Sequence, residues 1–93
     1  MDDVFAYIDA HRDDYIGMLQ TMIQQPSVAA QNHGMTEMAA MVQSLLDGIG
    51  FEGEQYPTGG HPVVYGEHPG QSAKTLPFYN YYDFQPPEPL DLW

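Results

Sequence analysis

The run Leu45–His68, LLDGIGFEGEQYPTGGHPVVYGEH, holds the change of period that sets the fold. Up to Ile49 the apolar residues Met35, Met38, Val42, Leu45, Leu46 and Ile49 recur at helical spacing. Gly50 then stands where a left-handed helix C-cap is wanted. From Phe51 the pattern turns to weak alternation, "GG" at 59–60 makes a turn, and "HPVVYGEH" brings adjacent β-branched and aromatic residues. The stretch predicts a helix from about Met35 to Ile49, followed by a β-hairpin.

Upstream, residues 3–25 read as one amphipathic helix. Val4, Ile8, His11, Tyr15, Met18 and Met22 form a stripe at alternating spacings of four and three, widened by Leu19 and Ile23. Asp2 and Asp3 favour its N-terminus, and Pro26 ends it by pushing the preceding residue out of the α region. "PSVAAQNHG", Pro26 to Gly34, is a connector rich in turn formers. Downstream, "PGQSAK" is a second turn region and "TLPFYNYYDF" a third strand, apolar enough to be central, although Pro77 removes one ladder donor. The prolines of "FQPPEPL" favour an extended, rigid loop. The predicted class is α/β: two N-terminal helices packed on a small mixed sheet, made of a hairpin and one central strand. So small a sheet leaves open edges, and the whole reads as one incomplete unit, residues 1–93.

Composition narrows the function. A chain of 93 residues buries only about 60–65% of the surface its unfolded form exposes, so its core is thin. There is no cysteine, hence no disulfide and no thiolate metal site. Thirteen acids face Arg12 and Lys74 alone, a net charge of −11, which argues against nucleic acid as partner. The acids are scattered, as on solvated faces. No signal peptide is visible at the N-terminus, and no apolar run approaches the ~20 residues that cross a bilayer. The default location is a reducing cytoplasm, with no membrane partner.

Four histidines are present: His11, His33, His61 and His68. None pair at the i, i+4 spacing of a helical zinc site. His61 and His68 bracket the second strand, more than roughly 20 Å apart at about 3.3 Å per residue. His11 lies on an apolar stripe, where packing is its ordinary role. The methionines of the second helix read as core filling. Asp83 is different, because groups at the carboxyl ends of strands in open α/β sheets gather at binding sites. Two roles fit it: a functional carboxylate, or a residue turning the strand exit by bonding local backbone amides.

"TLPFYNYYDFQPPEPLDLW" resembles a segment of the aminoacylase, acetylornithine deacetylase and carnosinase-type family of dinuclear zinc peptidases, a strand followed by Gly-His-x-Asp-Val-x-Pro. The dipeptidase-like branch is the nearest text. "IQQPSVAAQ", "LLDGIGFEGE" and "GGHPVVYGE" look like the loop after the family's first helix, its second helix running into the first strand, and its second strand. The resemblance implies the N-terminal portion of a zinc-dependent exopeptidase or amidohydrolase acting on peptides or N-acyl amino acids. It gives Asp83 the role of orienting the zinc-binding histidine, and Pro86 that of the motif's proline. Tyr81 stands in the histidine's place and Asn80 in that of the glycine before it. A neutral phenol is a poor zinc ligand at pH 7. The bridging carboxylate, general-base glutamate and second histidine of the family lie later than residue 93. The expectation is therefore a truncated piece with Asp83 as its active-site residue, no metal ligand of its own, no bound zinc and no hydrolysis by this chain alone. Self-association or a complementing chain at the open sheet edges would complete it. The alternative is a non-catalytic binding module on the same scaffold, using Tyr79, Tyr81 and Tyr82 as contacts, against the commoner role of strand aromatics as core.

Overall fold

The computed structural model describes residues 1–92. Trp93, which closes the resembling segment, lies outside them. In chain order come α1 (Asp2–Ala10), α2 (Arg12–Gln24), a 3₁₀ turn (Ala29–Gln31), α3 (Met35–Gly48), β1 (Glu52–Tyr56), β2 (Val63–Glu67) and a 3₁₀ turn at Leu90–Leu92. The α/β class expected from the sequence is the class observed.

The first predicted helix is interrupted for one residue, His11. Its ring Nδ1 lies 2.8 Å from the Tyr7 carbonyl oxygen, and its ring stacks on Tyr7 at 4.0 Å between centroids. A side chain that engages the i−4 carbonyl competes with the helix ladder. The His11 amide is shared between the carbonyls of Tyr7 and Ile8, and the helical bonding resumes with Tyr15 N–H on the His11 carbonyl at 3.0 Å. Helix α2 ends as Pro26 requires, with Gln25 already extended at ψ 119°.

Helix α3 closes on a Schellman motif. The Gly50 amide donates to the Asp47 carbonyl and that of Phe51 to the Leu46 carbonyl, with Gly50 at φ 90°. The chain then enters an antiparallel hairpin in which Glu52 pairs with Glu67 and Tyr56 with Val63. Gly53 and Gly66 face each other in this register, and α3 packs on both strands over that pair. A Cβ on Gly53 would come within 2.9 Å of Asp47 Oδ1 and Gln43 Cγ, and one on Gly66 within 3.0 Å of Leu46 Cδ1. Side chains of α3 also close the free edge of β1. Gly53 N–H donates to Asp47 Oδ1 (2.8 Å), Gln43 Nε2 donates to Gly53 O (2.9 Å), and Gln55 Nε2 donates to Gln43 Oε1 (2.9 Å). An edge strand is thus covered by polar groups from its own helix.

The core is small and lies where α3 meets the connector: Val28, Met35, Met38 and Ala39, with Ser27 completely buried beside them. Core filling by α3 methionines is as read from the sequence. Neither α1 nor α2 buries a residue to that degree.

One expected element does not form. Residues 75–84 make no strand, so the described sheet has two strands, both antiparallel, and lacks the central third. A strand exists through its ladder, and here Pro77 lacks a donor while Leu76, Phe78, Tyr79 and Tyr81 stand about four-fifths exposed. Among the described residues, the segment's hydrogen bonds to the body are at its C-terminal end, through Tyr82 and Phe84.

Candidate functional site around Asp83

The connector after α2 builds one side of the site. Val28 and His33 form a two-residue bridge, Val28 N–H on His33 O at 2.8 Å and His33 N–H on Val28 O at 3.1 Å. Asn32 and Gly34 take positive φ to make the turn, and a Cβ on Gly34 would fall on the Pro26 carbonyl. Only glycine fits there. This tight loop presents Ser27 inward.

Ser27 holds the segment around Asp83. Its Oγ donates to the Tyr82 carbonyl at 2.6 Å, and its own carbonyl accepts from Phe84 N–H at 2.9 Å. Met35 Sδ lies 3.4 Å from the same hydroxyl. Tyr82 is tied a second time, its phenol donating to the Pro62 carbonyl at 2.6 Å. Asp83 therefore sits between two residues whose backbone is fixed, and its carboxylate is exposed. The hydrogen bonds of this segment run through Tyr82 and Phe84 rather than through Asp83. Partial burial, and then the Asp83 charge, push the Tyr82 phenol above its usual value. Tyr79 is pushed up by the neighbouring Tyr81 hydroxyl, their rings packed edge to face at 5.6 Å.

Two depressions flank Phe84. A shallow one of about 180 Å³ is formed by α2, Met38 and residues 81–84. A larger groove of about 880 Å³ runs along the proline loop, between Ile23, Pro26, Val28 and His33 on one side and Phe84 and Pro86 on the other. Both are mainly apolar.

The histidines do not converge on Asp83. His11 is engaged with Tyr7 O, His61 Nε2 lies 3.3 Å from Ala29 O, and His68 Nδ1 lies 3.1 Å from Gly50 O beside the Phe51 ring. His33 lines the larger groove. Among the described residues no three His, Cys, Asp or Glu side chains are grouped as metal ligands would be. A zinc site needs three or four such donors, so these residues alone do not fit the ion. Tyr79 and Tyr81, two of the three aromatics weighed as contacts, point outside the core; Tyr82 is half-buried. Among the described residues no helix is long and apolar enough to cross a membrane.

Sequence reasoning singled out Asp83 but passed over Ser27 and Gly34, which fix its surroundings. The visible signal was a serine directly after a helix-ending proline, followed by an Asn-His-Gly turn.

Comparison with known proteins gives one informative likeness. The chain is 29% identical over 107 aligned residues to the Cys-Gly metallodipeptidase dug1 of Schizosaccharomyces pombe. That alignment takes in the whole of this chain but 22% of the relative's length, so the chain spans about a fifth of the curated relative it matches. No protein-family model and no solved structure matches it.

Proposed function

We propose that residues 1–93 form the N-terminal part of the catalytic domain of a zinc-dependent, dipeptidase-type hydrolase acting on peptides or N-acyl amino acids. The observation that carries this reading is the alignment of the whole chain with a metallodipeptidase. In the fold, Ser27 ties the connector to the residues on both sides of Asp83, although the expected strand leading to it does not form.

In this reading Asp83 is a positioning residue, whose carboxylate would orient a neighbouring imidazole and fix its tautomer. Tyr81 occupies the imidazole's place, so this chain contributes scaffold and hydrolyses nothing alone. The metal ligands and the base that activates water come from other parts of the enzyme. Zinc belongs to that complete site, where it would supply the Lewis acid for amide hydrolysis.

Exposure of Tyr79 and Tyr81, 82% and 79%, favours a second reading, a non-catalytic binding module on the same scaffold. Zinc calorimetry on the chain, on Tyr81→His and on Tyr81→His/Asp83→Asn, with circular dichroism as folding control, tests the first. No binding by the unmodified chain, weak binding by Tyr81→His and its loss on Asp83→Asn are expected. Tight zinc binding by the unmodified chain would overturn the assignment of Tyr81, and indifference to Asp83→Asn would remove the positioning role.

A further inference from the structure

We infer that the indole of Trp93 docks in the apolar groove along the proline loop and covers the end of it next to Leu90. This goes beyond the hydrolase reading and does not depend on it.

The groove holds about 880 Å³ and is mainly apolar, with Ile23 and Val28 on one wall and Phe84 and Pro86 on the other. Apolar hollows of this extent are sites where a ligand, a partner or the chain itself packs. The local geometry selects the chain itself. Leu90 lines the groove and opens the 3₁₀ turn Leu90–Leu92, in which Leu92 N–H donates to the Pro89 carbonyl at 3.2 Å. In 3₁₀ geometry side chains three positions apart eclipse, at a rise of about 2 Å per residue. A residue continuing that geometry after Leu92 returns to the side of Leu90, about 6 Å along the axis and at the edge of the groove. That residue is Trp93, the one tryptophan of the sequence.

The chemistry of the lining matches an indole. Tryptophan buries about 150–250 Å² of largely apolar surface, and its one N–H wants an acceptor once buried. The apolar walls meet the first need, and Gln24, Gln31 and Glu88 in the same lining offer side-chain oxygens for the second. Ile23 and Leu90 line the groove yet are 66% and 72% exposed, so apolar area remains there for a further side chain to cover. One indole fills only part of the groove, the part reached from Leu90.

A single tryptophan makes fluorescence a direct test. The whole chain is compared with a synthetic peptide of residues 88–93 at several concentrations, with circular dichroism as folding control. A blue-shifted emission, weaker acrylamide quenching than in the peptide, and no change on dilution are expected. Ile23→Gln and Phe84→Ala, on opposite walls and neither fully buried, should each move the emission to the red and raise the quenching. In amide spectra, Trp93→Ala should shift Gln24 and His33 across the groove and leave Glu54 and Tyr65 of the hairpin in place. That spectrum decides the case even where a wall variant loses its fold. Emission and quenching equal to the peptide's would overturn the proposal. So would a blue shift lost on dilution, which would put the indole on a second copy. A blue shift indifferent to both wall variants, or unmoved amides at Gln24 and His33 in Trp93→Ala, would seat the indole elsewhere and overturn it as well.

Discussion

Ser27 has no exposed surface, and its hydroxyl and carbonyl together hold Tyr82 and Phe84. Ser27→Ala keeps the volume nearly constant but leaves the Tyr82 carbonyl without its donor. The expected loss is about 1–3 kcal/mol, read from urea denaturation, with faster amide exchange at Phe84. An unchanged midpoint would mean that water takes over the bond. Gly34→Ala should be worse, since the added methyl meets the Pro26 backbone at a φ of 74°. Tyr82 makes the site sensitive to alkali. Its folded-state value lies above the ordinary one near 10, so its contribution is intact below about pH 10 and is lost as pH rises through the raised value. Ionisation would break the bond to Pro62 and set a second negative charge beside Asp83. Tyr82→Phe should therefore lose less stability than the parent between about pH 8 and pH 11, measured as denaturation midpoints. Equal losses would move the alkaline effect to other tyrosines, such as Tyr56 and Tyr65, held up by hydrogen bonds to Glu54 and Glu67.

At the level of elements, α3 and the hairpin form the most closely packed part. Gly53 and Gly66 look like weak points in their strands, yet they allow the helix to approach. Gly53→Ala should destabilise by about 1–3 kcal/mol even though alanine is the better strand former, because the methyl meets the Gln43 backbone as well as side chains. Gly66→Ala, facing a movable Leu46 methyl, should cost less; thermal melts would order the two. The helix ends and the hairpin were legible because local signals set them: Pro26, Gly50 and the turn at 59–60. The break at His11 was not, since it depends on a ring reaching back to Tyr7. The third strand failed for another reason. The apolar, aromatic character of "TLPFYNYYDF" says that a segment can pair but supplies no neighbour, and the described residues offer none. At the candidate site, Asp83 could be picked out by its place before the proline loop. For Ser27 only its place after the helix-ending proline was visible; its role was not, because its partners lie far along the chain.

For the molecule as a whole, few buried residues oppose a charge of −11. Self-repulsion of that size weakens a compact state and is screened by salt. Raising ionic strength from about 0.02 to about 0.5 M should raise the melting temperature by a few degrees, followed by circular dichroism. A fall on adding salt would show that ion pairing outweighs repulsion. The bond from Ser27 to Tyr82 spans 55 positions. On a ribosome adding about 5–20 residues per second, Ser27 would wait roughly 3–10 s before its acceptor has even been made. Through that interval the connector is born open, with Val28 and the α3 methionines lacking the segment that later lies beside them. A nascent chain in that state is a natural client for a chaperone at the tunnel exit, because the connector cannot close until Tyr82 has been made.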